Sequence, residues 1–68
     1  MKLSELAYAV WASKVLIFVE NEKESFEFRS SEFRDTGSAM RKACQEFGDR
    51  FVTCIFPLSQ SEMTITIR

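Results

Sequence analysis

The chain has 68 residues, 46% of them hydrophobic and 28% charged, with a formal net charge of −1 and no histidine. A chain of this length makes a single domain, residues 1–68. Such a domain hides only about 60% of the surface its unfolded chain exposes, and it commonly leans on oligomerisation. The apolar content excludes a disordered polar chain, and the dispersed, balanced charge argues against both phosphate-driven nucleic-acid binding and a strongly acidic DNA mimic.

The first predicted element is a helix from about Ser4 to Ala12. Ser4 suits the N-cap, Glu5 falls in the first turn where the helix dipole favours an anion, and Leu3 and Tyr8 are spaced for a hydrophobic staple. Leu3, Leu6, Ala7 and Val10 share one face, with Tyr8 nearly opposite and Trp11 on the flank. The helix is therefore apolar around most of its circumference.

Lys14–Glu20 follows, five consecutive apolar residues fenced by charges and rich in β-branched and aromatic types. That pattern predicts a strand buried on both faces. Two short helices cover one face of a sheet; the other needs a further surface, and a second copy of the chain is the expected one. Asn21-Glu22-Lys23-Glu24 reads as a polar turn. Ser25–Arg29 then alternates, Phe26 and Phe28 inward against Glu27 and Arg29 outward, and closes a hairpin.

A loop over Ser30–Gly37 carries Glu32, Phe33, Arg34 and Asp35, with Asp35 or Thr36 as the cap of a second helix at about Gly37–Phe47. Ala39, Met40, Ala43, Cys44 and Phe47 form one stripe on it, and Arg41, Lys42, Gln45 and Glu46 face away. Gly48 stands where a left-handed C-terminal cap belongs. The third strand, Arg50–Phe56, is apolar on both sides, with Phe51 and Ile55 on one and Val52, Cys54 and Phe56 on the other, and Pro57 ends it. Glu62–Arg68 alternates Met63, Ile65 and Ile67 against Thr64, Thr66 and Arg68.

The order is α-β-β-α-β-β, one helix-hairpin unit written twice. It predicts an α+β fold: a four-stranded, mostly antiparallel sheet with two helices on one face, of a permuted ferredoxin-like type. Strands one and three, apolar on both sides, are expected at the centre, and strands two and four at the edges. The alternative is a domain-swapped or face-to-face dimer that shares its helices.

The residues carry no catalytic motif. Without histidine there is no Ser-His or Cys-His pair. The carboxylate pairs Glu22/Glu24 and Glu32/Asp35 fall in turns, and Gly37 and Gly48 make no phosphate loop. Cys44 and Cys54 read as two reduced, buried small hydrophobes, a bridge between them being the alternative, and neither a metal site nor a cofactor is expected. No apolar run is long enough to span a membrane, so a soluble cytoplasmic protein is expected. What remains is binding. Tyr8, Trp11, Leu16 and Phe18 are the expected contact surface, for a homodimer or a larger protein, and Arg34, Arg41 and Lys42 the polar rim. The competing possibility is a nucleic-acid-binding module built on the basic face of the second helix, with Arg29, Phe33, Arg34, Arg41, Lys42 and Arg50 together; interleaved Glu27, Glu32, Asp35 and Glu46 weaken it.

The opening Met1-Lys2-Leu3-Ser4-Glu5-Leu6, with its short helix followed by a charge-bounded strand and hairpin, resembles small phage- and prophage-encoded accessory proteins. The resemblance implies a protein that acts stoichiometrically on a host component, as inhibitors of bacterial immunity such as anti-CRISPR proteins do.

Overall fold

In the computed structural model, which describes residues 1–6, 12–30 and 38–68, six elements follow one another. They are α1 (Leu3–Leu6), β1 (Lys14–Val19), β2 (Ser25–Arg29), α2 (Ser38–Phe47), β3 (Val52–Pro57) and β4 (Glu62–Ile67). The strands form one mixed sheet in the order β2-β1-β4-β3. The hairpins β1/β2 and β3/β4 are antiparallel, and β1 and β4 join them as a parallel central pair. Two parallel strands flanked by antiparallel edges is the sheet pattern of a ferredoxin-like α+β fold.

Registers sort the side chains onto two faces. Val15 lies between Phe28 and Met63, Ile17 between Phe26 and Ile65, and Val19 beside Ile67. Val15, Ile17, Ile65 and Ile67 are wholly buried and join Leu3, Leu6, Ala39, Met40 and Ala43 in one cluster. This is the face the helices cover. The stripe expected on α2 is the one buried: Ala39, Met40 and Ala43 are inside, Cys44 and Phe47 half-buried, and Arg41, Lys42, Gln45 and Glu46 exposed. The Phe47 ring packs on Phe26 at 5.1 Å and edge-on to Phe28 at 6.3 Å, sealing the β2 end of the core.

Several expectations are corrected. Ser4 is not an N-cap: α1 begins at Leu3, and the Glu5 carboxylate reaches back to accept from the Lys2 N–H at 3.2 Å. The Leu3 and Ser4 N–H groups, in the first turn of α1, donate to Arg50 O and Gly48 O at 2.9 and 3.1 Å. The rest of the first predicted helix lies outside the described residues, as does the Asp35 or Thr36 cap. Gly48 has no left-handed φ. It is required for closeness to its own helix: a Cβ there would stand 2.5 Å from Cys44 O in the last turn of α2, while the Ser4 Cβ of α1 would lie at an ordinary contact distance of 3.6 Å.

The strand order differs from expectation as well. β4 is central and β3 is an edge, because Pro57 has no N–H to give and fits only where one side of the strand is unpaired. A register shift between Val52 and Cys54 then turns both Val52 and Ile55 to the helix side, opposite Ile67 and Ile65. Strict alternation would have separated them. Asn21 adopts φ 68° in the turn that Glu22 N closes onto Val19 O at 3.0 Å, a left-handed position asparagine tolerates.

Candidate functional site

No helix among the described residues covers the other face of the sheet. Leu16 lies between Glu27 and Thr64, and Phe18 between Ser25 and Thr66; Thr64 and Thr66 in turn neighbour Phe56 and Cys54 on β3. Leu16, Thr64 and Thr66 are half-buried by their neighbours, while Phe18 is 37% exposed and Phe56 61%. The expectation that β1 is buried on both faces is thus met on one face only. The centre of the open face is apolar and hydroxylic.

Among the described residues, charge lies at its margins, in ion pairs. Lys14 Nζ sits 3.2 Å from Glu27 and 3.8 Å from Glu62, while Arg29 holds Glu27 at 2.9 Å. Hydrogen bonds from Arg29 and Lys14 keep the Glu27 carboxyl below its ordinary pKa. At the opposite end Arg68 and Glu20 stand 4.0 Å apart. These ion pairs frame the apolar centre without adding net charge to it.

The two edges of the sheet differ. On β2 the Ser30 N–H donates to Ser13 O, so by antiparallel alternation the backbone of Ser25, Glu27 and Arg29 faces outward. That edge carries the Glu27–Arg29 pair, and the Lys42 ammonium donates to Arg29 O at 2.9 Å. On β3 and just beyond its two ends, Phe51, Ile55, Phe56 and Leu58 are exposed large hydrophobics, and residues 51–58 contain no charge.

Of the residues expected to make contacts, Leu16 and Phe18 stand side by side on the open face. Tyr8, Trp11 and Arg34 lie outside the described residues. Arg41 and Lys42 are exposed on the outer side of α2, which packs on the covered face, so the structure does not bring them to Leu16 and Phe18. Phe56, Ile55, Phe51 and Leu58 were missed. The signal for them is Pro57, since proline within a strand belongs at a sheet edge, against the expected central place of β3. Cys54 is likewise exposed rather than buried. Cys44 is half-buried, its thiol 3.6 Å from Leu3 O and pushed up in pKa by burial; both cysteines are free.

Among the described residues no group of three or more His, Cys, Asp or Glu is placed to hold a metal ion. No helix among them is long and apolar enough to cross a membrane. The chain matches no protein-family model, no curated protein and no solved structure.

Proposed function

We propose that the protein is a non-enzymatic binding module that self-associates and works by stoichiometric capture of a larger protein. The observation that carries this reading is exposed apolar surface: Phe18 and Phe56 on the open face, and Ile55, Phe51 and Leu58 along the β3 edge. Its apolar centre and neutral margin suit a protein surface better than a phosphate backbone, which would reward surplus positive charge. The resemblance of the opening residues to phage accessory proteins makes a host protein, a component of bacterial immunity among them, the target class to examine first.

The test is sedimentation at micromolar concentration with the wild type and a Phe18→Glu/Phe56→Glu double variant. The wild type should exceed the 7.9 kDa of a single chain, and the variant should associate at least tenfold more weakly. A wild type that stays monomeric removes self-association. Equal capture of a host protein by both baits removes the assignment of the face. Salt-sensitive binding to a short oligonucleotide would favour the nucleic-acid alternative instead.

A further inference from the structure

We infer that two copies pair edge to edge through β3, antiparallel about a two-fold axis at Ile55, to make one continuous eight-stranded sheet. The inference rests on the self-association proposed above and specifies its geometry. Its starting point is the direction of the backbone. Leu58 N donates to Glu62 O at 3.0 Å, so the alternation of the antiparallel ladder points Phe56 at Thr64 and turns Ile55 and Pro57 to the open side. Earlier in the strand the open side is already closed, because Val52 N donates to Met1 O at 2.8 Å and Arg50 O accepts from Leu3 N. Pro57 has no N–H. Ile55 is therefore the residue in this part of the edge whose N–H and C=O both face outward.

A single outward-facing pair is best met by its own copy. Across a two-fold axis at Ile55 each N–H meets the other copy's C=O, and the two hydrogen bonds close on themselves. The side chains agree with this register. Ile55 lies beside the partner's Ile55 on the helix side, covering a residue now 41% exposed. On the open face Phe56 falls opposite the partner's Cys54, a large side chain against a small one. Residues 51–58 carry no charge, so the pairing opposes no like charges. The β2 edge offers no such match, with Glu27, Arg29 and the Lys42 ammonium arrayed along it.

An axis of this kind runs perpendicular to the sheet, so both sets of helices stay on one side. The two open faces then merge on the other, and Phe18 and Phe56 of each copy line a single wide apolar platform for the larger partner. The edge contact is short, and a dimer built on it alone belongs in the weak, transient class of interface.

A hydrogen-bonded antiparallel pair places its Cα atoms about 5.5 Å apart, within the range a disulfide spans. In a Cys44→Ser/Cys54→Ser background, Ile55→Cys should give a covalent dimer under mild oxidation at micromolar concentration. Ser25→Cys on the β2 edge, in the same background, should cross-link at least tenfold more slowly. Ile55→Lys in the otherwise native chain should weaken self-association at least tenfold by sedimentation. Equal cross-linking at the two edges, or an Ile55→Lys variant that associates as the wild type does, overturns the β3 pairing while self-association stands. A wild type that sediments as a monomer takes both away.

Discussion

Ile17 and Phe18 are neighbours in one strand, equally apolar, and their fates are opposite. Ile17 is wholly buried under the helices with Ile65 and Met40, while Phe18 looks out from a face that no described element covers. The difference lies in supply rather than in the strand itself. A ten-residue helix is about 15 Å long, and α2 lies across β1 and β2, leaving β3 to the side. A strand's composition states how much surface has to leave water. It does not state what will cover that surface, and among the described residues the helices cover one face only.

The two faces should therefore respond differently to truncation. A domain of this length has a total stability of roughly 3–10 kcal/mol. Ile17→Ala, which opens a cavity in the closed layer, should lower the unfolding free energy by about 2–5 kcal/mol in a urea titration. Phe18→Ala on the open face should cost below about 1 kcal/mol in the monomer. Similar losses at the two positions would break the contrast. An effect between these two is expected at the C-terminal end of α2. Gly48→Ala drives a methyl group against Cys44 O in the last turn of α2, and should cost about 1–3 kcal/mol by the same measurement. A neutral outcome would mean that the last turn of α2 relaxes around the Cys44 carbonyl without penalty.

How much of this was legible follows the same division. Where a pattern is fixed by a single face, sequence and structure agree: the Ala39–Met40–Ala43 stripe of α2, the alternation of Phe26 and Phe28 in β2, and that of Ile65 and Ile67 in β4. Strand order depends on which partners are available, and there the reading of β3 failed. Its two apolar sides look the same whether they meet a core or an open edge, and only Pro57 distinguishes the cases. The register shift at Val52–Cys54 left no mark in the residue types, since Thr53 is an ordinary strand residue. Leu16 and Phe18 were recognisable as surplus surface; Phe56 and Ile55 were not, because assigning β3 to the centre had already counted them as covered. The capping role of Ser4 failed for a related reason: the backbone oxygens of Arg50 and Gly48, more than forty residues away, accept from the Leu3 and Ser4 N–H groups, and α1 begins ahead of Ser4.

The smallest expected effect belongs to the charged margin of the open face, and it has a definite sign. Arg29 and Lys14 hold the Glu27 carboxyl below its ordinary value of 4.5, so its folded-state pKa is lower than its unfolded one. The stabilisation this gives is complete above that ordinary value and is lost as pH falls through the lower folded-state value. Glu27→Gln removes the titrating group. The variant should lose less stability than the wild type between neutral pH and pH values below 4.5, measured as urea midpoints at both ends. Because Glu27 and Arg29 are solvent-exposed, added salt should shrink the difference between the two proteins. An identical pH profile for variant and wild type would mean that these ion pairs frame the open face without stabilising it. The margin would then be a feature of what the face excludes, namely a second strand at the β2 edge, rather than of how the sheet is held together.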